Sequence, residues 1–559
     1  MGSHLPTSTP YKTKHTTTRV TTMSAILESD DDGDLTTVLS GAELIQPPKL
    51  PGNYSARTQK RWSSSSRRDS AGSSTDMDGV HAYLSPNHIF PAQLYSTESG
   101  RLFHAGKVLI CLVGLPARGK TRLSVSLTRY LRWLGVKTHP FHVSDYRRKV
   151  YTNFEEDVPE DYFSAAPSSA EGIKVRQKVL NKCLHDIASF FEKDRGQVAI
   201  YDALNITKKD RSDIHDLFSS KNIKVLFIES IVDDDMLIHK NVSNAAASPD
   251  YEGWDPKLAK ADYLKRINAN APIYEQMNTD GTEAHLRYIK FINFGERLVT
   301  NNSQYGYLIN RIVFFLMNSR VKTGCVYFAR CGKSDLDKYV DDEVLNDEGL
   351  AFSETLAKTL LDTIAERKKQ RLLDSPSTTP ANSSSDTLNN LSKHGFRQPP
   401  TADGSADDSF VVWTATRKRT SATANPFRKR GITVRERYQL NQLNPGIIAD
   451  MDEEQIKTEF AEEFSQDLKD PYHHRYPRAE SYHDLAVRME PLLLEMERMS
   501  GDILIIAHES SLRVLYGYLM ACSCYEIPSL QFPRNEIVEI SYTPYENHSR
   551  RITIEGFDQ

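Results

Sequence analysis

The sequence predicts an α/β protein of two consecutive domains, the first built on a parallel sheet. Three observations carry this. Short apolar runs alternate with longer amphipathic ones from Lys107 to Asn318. A glycine-rich loop, Gly114–Thr121, lies between the first apolar run and its helix, and a second strand–helix series starts at Gly324.

Taken in order, residues 1–100 show no sustained periodicity. They contain "DDDGD", "RWSSSSRRDSAGSST" and scattered prolines, and are expected to be a disordered Ser/Thr-rich regulatory arm. Arg67-Arg68-Asp69-Ser70 places two basic residues ahead of a serine, which makes Ser70 the candidate for phosphorylation by a regulatory protein kinase. Lys107–Val113 then reads as an apolar strand, Gly114–Gly119 as a loop and Lys120–Leu134 as a helix. Strands follow at Thr138–Val143, Gln197–Tyr201, Lys224–Ile231 and Tyr288–Asn293. Helices are expected at Gly172–Lys193, Lys208–Ser219, Asp233–Asn244, Lys257–Met277 and Tyr305–Asn318. In the second unit Val326–Ala329, Phe410–Trp413 and Ile503–Ala507 read as strands. Leu350–Lys369, Tyr482–Met499 and Ser511–Met520 read as helices. The polar, Pro/Ser-rich stretch 374–408 is too long for an ordered connection and is expected to be a disordered insertion. The expected domains are therefore 101–323 and 324–559.

Bulk properties exclude several classes. The chain has 559 residues, 39% hydrophobic and 26% charged, as in a soluble globular protein with disordered sequence attached. A formal net charge of −4 gives no reason to expect a nucleic-acid partner. No apolar run approaches the roughly 20 residues of a membrane helix, and the start lacks a secretory pattern. The six cysteines show no metal-ligand spacing. They are expected to be reduced thiols of a cytoplasmic protein.

Gly114-Leu115-Pro116-Ala117-Arg118-Gly119-Lys120-Thr121 matches G-x-x-x-x-G-K-[ST] in its confirming context, strand before and helix after. The glycines let backbone N–H groups turn onto phosphate oxygens, Lys120 supplies a cation for the β/γ-phosphates, and the Thr121 hydroxyl suits Mg²⁺. ATP and Mg²⁺ are the expected cofactors, with Arg122 and Asn241 added to the nucleotide side. Asp202, just past an apolar strand in "GQVAIYDALN", is the candidate acid for the metal or the acceptor hydroxyl, and with Lys120 forms the catalytic pair. Arg147, Arg148, Arg176 and Arg266 are the candidate guanidinium partners of a phosphorylated acceptor.

Together, "GLPARGKT", "YRRK", "VAIYDALNITKKDR", "SPDY", "INRIVFFLMN", "RYPRAESYHDL" and "IIAHES" resemble the bifunctional 6-phosphofructo-2-kinase/fructose-2,6-bisphosphatases, over about Gly106 to Thr543. The resemblance implies an adenylate-kinase-like P-loop domain followed by a histidine-phosphatase (phosphoglycerate-mutase-like) domain. It implies fructose 6-phosphate as acceptor and a homodimer. Leu204, Asp210, Ala246 and Asn270 stand where the family has Thr, a basic residue, Lys and Tyr. In the second domain the resemblance makes Arg330, Arg419, His508 and Arg513 the phosphate-binding set. Cys331 stands at the position of the nucleophilic histidine and Gln442 at that of the proton-donating acid. An amide cannot donate a proton as an acid does, so this site is expected to be hydrolytically inactive. The function expected is an ATP-dependent 6-phosphofructo-2-kinase without bisphosphatase activity. The alternative is an ATP-binding regulatory pseudoenzyme that senses nucleotide or sugar phosphate.

Overall fold

The computed structural model describes residues 76–81, 90–93, 106–150, 161, 163–246, 248–251, 254–279, 281–302, 306–336, 339–374 and 410–557. Ser70 and, past Asp374, the insertion expected at 374–408 lie outside the described residues.

The elements run in chain order as β1 (Asp76–Met77), β2 (Val108–Val113), α1 (Lys120–Trp133), β3 (Thr138–His142), α2 (Val143–Val150), α3 (Ala170–Glu192) and β4 (Val198–Asp202). Next come α4 (Lys208–Ser220), β5 (Lys224–Ile231), α5 (Asp235–Ala245), α6 (Pro256–Asn270), β6 (Tyr288–Ile292), β7 (Arg297–Asn301) and α7 (Tyr307–Asn318). The second unit holds β8 (Val326–Arg330), α8 (Asp347–Asp374), β9 (Val411–Thr414), α9 (Lys418–Thr423), α10 (Asn425–Lys429), β10 (Thr433–Glu436), α11 (Glu453–Glu459) and α12 (Ala461–Lys469). It ends with α13 (Tyr482–Arg498), β11 (Ile503–Ala507), α14 (Glu509–Leu519), β12 (Glu536–Tyr542) and β13 (Asn547–Thr553).

The first sheet has the order β3-β4-β2-β5-β6-β7. Its first five strands are parallel, but β7 returns antiparallel to β6, so the sheet expected to be all parallel carries one antiparallel edge. All of β2 is buried, and its alternating residues feed two cores. Val108, Ile110 and Leu112 join one cluster; Leu109, Cys111 and Val113 join the other. The second sheet, β1-β13-β12-β8-β11-β9-β10, is parallel from β8 through β10 and antiparallel from β12 outward. The helix expected to run to Met277 stops at Asn270. Pro272 cannot continue the hydrogen-bond ladder, and Ala271–Ile273 forms a 3-10 turn instead.

The two units share one core. Helix α1 packs beside α7 and against α13 and α14, with Trp133 edge-on to Tyr518 at 5.6 Å and Tyr130 stacked on Phe315 at 4.8 Å. Part of the expected disordered arm belongs to this seam. Strand β1 pairs with β13. The fully buried Asp78 carboxylate accepts from Arg129 Nη2 (2.8 Å) and from the Asn547 amide (2.8 Å). Pro91 O accepts from the Tyr472 hydroxyl, and the Ala92 amide donates to Trp133 O. Polar composition had hidden these few residues, whose apolar and charged partners come from both units. All six cysteines are buried and none is in a disulfide. Among the described residues no helix is long and apolar enough to cross a membrane.

Candidate functional site

The loop between β2 and α1 lies at the carboxyl end of the first sheet, where parallel α/β folds open a crevice. Gly114 has φ 135°, and a Cβ there would stand 2.6 Å from the Ser230 carbonyl oxygen. Gly119 has φ 74° and opens α1, so the helix begins with its backbone N–H groups facing the loop. The loop is braced on all sides. Ser230 Oγ donates to Arg118 O (2.6 Å), Asn241 Nδ2 donates to Ala117 O (2.9 Å), and the Ala117 amide donates to Tyr263 Oη (3.2 Å). Asn241 thus holds the loop's shape.

A cleft of about 910 Å³ runs from this loop across the strand ends. Lys120 Nζ bonds Gly114 O (2.8 Å) and Leu115 O (2.7 Å) inside it. Burial pulls its ammonium down to about 8, against the upward pull of Asp202. Arg122 lines the cleft as well and has Glu497 and Tyr542, at the seam between the units, as electrostatic neighbours.

Asp202 ends β4 and is buried. Its Oδ2 accepts from Thr121 Oγ1 (2.7 Å), so the two residues read as metal ligands in the sequence are in contact. The same oxygen pairs with His142 Nδ1 at 2.7 Å, a partner sequence reasoning missed. Burial works against both charges. Yet the mutual bond, with Thr121 and Lys120, leaves the Asp202 carboxyl below its usual range and the His142 imidazole above its own.

On the acceptor side the candidate arginines converge on one residue that the sequence did not single out. Asp250 takes Arg147 Nη2 (2.8 Å), Arg148 Nη1 (2.6 Å) and Arg266 Nη1 (3.3 Å). Burial raises the Asp250 carboxyl, but the three guanidiniums outweigh it and hold it at about 2. Asp145 also pairs with Arg148 and Asp262 with Arg266 (3.1 Å), so three guanidiniums meet three carboxylates and Arg147 pairs with Asp250. Arg147 and Arg266 line the cleft, and Arg266 lies 3.1 Å from the centre of the Phe163 ring. Arg176 also lines the cleft but pairs with Asp210 at 3.6 Å.

Leu204 lines the cleft, whereas Asn270 has a different job. Fully buried, its side chain accepts from the Ala165 amide (2.7 Å) and donates to Arg266 O (2.8 Å) and Phe163 O (3.2 Å). It braces the loop that stacks Phe163 on Arg266. Pro544 and Tyr545, on the turn between β12 and β13 of the second unit, close one wall of the cleft.

The second candidate site gathers at the ends of β8 and β11, where Arg330 is in register with Ala507. Cys331 is 1% exposed and packs in the apolar cluster with Ala329, Phe352 and Phe427. Arg419 Nη2 donates to Gln442 Oε1 at 2.7 Å. His508 caps α14, its Nδ1 2 residues from and 3.0 Å away from Ser510 Oγ. Arg513 is a structural tie, bonded to Leu530 O, Tyr482 Oη and Glu509 Oε1. Its Nε, Nη1 and Nη2 all bond within the protein here.

Comparison with known proteins agrees with both halves. Residues 95–323 match the 6-phosphofructo-2-kinase family and residues 389–555 the histidine phosphatase superfamily, branch 1. A Saccharomyces cerevisiae protein named "Putative 6-phosphofructo-2-kinase/fructose-2,6-bisphosphatase" is 49% identical over 92% of this chain and 97% of its own. The rat 6-phosphofructo-2-kinase/fructose-2,6-bisphosphatase 3 is 31% identical over 78% of this chain and 70% of its own. The S. cerevisiae fructose-2,6-bisphosphatase is 31% identical over 78% of this chain and 87% of its own.

Proposed function

Since the chain belongs to the 6-phosphofructo-2-kinase/fructose-2,6-bisphosphatase family, we propose that it transfers the γ-phosphoryl group of ATP to the 2-hydroxyl of fructose 6-phosphate, and that its second site does not hydrolyse the product. One observation carries the first half. One cleft joins Lys120, Thr121 and Asp202 to Arg147 and Arg266, two guanidiniums gathered on Asp250 within reach of a bound phosphate.

In this reading the loop amides and Lys120 hold the β- and γ-phosphates. A hydroxyl and a carboxylate are hard oxygen donors that fit Mg²⁺, so Thr121 and Asp202 would hold it; when bound it neutralises charge on the phosphate oxygens. Arg147 and Arg266 hold the sugar phosphate by charge-assisted bonds. Asp202 Oδ1, free of hydrogen bonds to described residues, orients the metal or the acceptor hydroxyl.

For the second half, Cys331 puts a buried thiol where an imidazole must attack, and Gln442 puts an amide where an acid must protonate the leaving oxygen. The reading fits a cytoplasmic enzyme acting as a homodimer, with Ser70 as the candidate target of a regulatory protein kinase. A second reading, an ATP-binding regulator without turnover, is favoured by the Arg176–Asp210 pair, which offsets one acceptor-side cation.

The test is a coupled assay of ADP formation with purified protein, ATP, Mg²⁺ and fructose 6-phosphate, run beside calorimetric ATP binding. ADP formation that depends on the sugar supports the kinase. ATP binding without turnover supports the regulator.

A further inference from the structure

His142 is the last residue of β3 and is in register with Asp202 on the neighbouring parallel strand. In-register residues of parallel neighbours project to the same face, so the backbone alone places the two side chains together. The imidazole is 3% exposed. Its Nδ1 holds Asp202 Oδ2, while its Nε2 is buried with no hydrogen-bond partner among the described residues. It does not line the cleft, so it stands behind Asp202 rather than beside the ligand space. Behind it stands the His81 ring, 5.3 Å away and tilted by 58°, with His81 Nε2 2.8 Å from Tyr545 O.

Asp202 has rotational freedom that a catalytic carboxylate must lose. Thr121 alone would fix one oxygen, but a threonine that also serves a cation must share its hydroxyl. His142 supplies a second, independent anchor on the same oxygen, leaving Oδ1 for the cleft. Resting on the kinase reading of this cleft, we propose that His142 is a positioning residue that fixes Asp202 by a hydrogen bond from Nδ1, and that the His81 ring backs it from the amino-terminal segment.

The position of the bonding nitrogen makes the proposal testable. The amide nitrogen of asparagine sits where Nδ1 does, whereas that of glutamine reaches toward Nε2. H142A is expected to lower kcat about 10–100-fold, the range for losing a residue that orients a ligand. It should also shrink the Mg²⁺-induced gain in ATP affinity by a similar factor, with metal-free ATP affinity unchanged. H142N should stay within about threefold of wild type on both counts, and H142Q should behave as H142A. Calorimetric titration of ATP with and without Mg²⁺ reads this without turnover. A wild type that binds Mg²⁺–ATP but forms no ADP overturns the kinase reading and leaves the binding comparison to decide this one. If H142A does not fold, the H142N and H142Q pair decides. The proposal is overturned if H142Q matches H142N, or if H142A keeps the full Mg²⁺ effect.

Discussion

Arg419 Nη2 donates to Gln442 Oε1 across 2.7 Å. The amide oxygen is a fixed acceptor for the guanidinium and carries no proton to give. In the proposed reading the buried Cys331 thiol leaves the nucleophile's role unfilled as well. Neither C331H nor Q442E alone should release phosphate from fructose 2,6-bisphosphate above background, while the double variant should release it measurably. Release by the wild-type chain that disappears in C331S would contradict this account.

The Lys120 ammonium is the cation nearest the loop carbonyls in the cleft. K120M keeps the length of the side chain and removes its charge. It should lower sugar-dependent ADP formation by at least about 100-fold, the scale for removing one group that stabilises transition-state charge. The thermal midpoint should stay near that of wild type. An active K120M protein would show that phosphoryl transfer occurs elsewhere.

Asp250 makes an acid-stability prediction. Its folded pKa, about 2, lies below its ordinary 3.8. A depressed carboxyl stabilises the fold above the unfolded pKa, and this is lost as pH falls through the folded value. The full effect is about 2 kcal/mol. The stability advantage of wild type over D250N in urea should therefore shrink by about 1 kcal/mol between pH 6 and pH 3. The same variant should raise the KM for fructose 6-phosphate, because three guanidiniums lose the carboxylate that gathers them. An advantage independent of pH would show that Asp250 is not held by these arginines.

Glu546 has the opposite sign. Burial, reinforced by Asp78, pushes its carboxyl up from 4.5 to about 7. A raised carboxyl favours folding while protonated, and that benefit is lost as pH rises through 7. E546Q, uncharged throughout, should raise the thermal midpoint at pH 8 and change it little at pH 4.5. Equal shifts at both pH values would mean that the seam around Asp78 is not what raises Glu546.

Much of this was legible in the sequence where local pattern decides. The glycine loop, Lys120, Asp202 and β11 depend on spacing and apolar runs within a few residues. Partners fixed by tertiary contact were not. His142 lies in the ordinary stretch "PFHVSD", and only the parallel register with β4 brings it to Asp202. Asp250 gains meaning only when α2 and α6 bring Arg147, Arg148 and Arg266 to it. Sequence position alone cannot tell that Asn270 braces the wall of the cleft rather than faces it. The hairpin of β12 and β13 escaped notice because charged residues interrupt its apolar pattern in "EIVEISY" and "NHSRRIT". The arm residues that enter the seam were masked by the Ser/Thr-rich sequence around them.

The most direct measurement is the rate of ADP formation by the purified full-length chain with Mg²⁺–ATP, with and without fructose 6-phosphate. The account predicts turnover at ordinary enzyme rates, about 1–100 per second, dependent on the sugar phosphate and abolished by K120M. Tight Mg²⁺–ATP binding with no sugar-dependent turnover would contradict it.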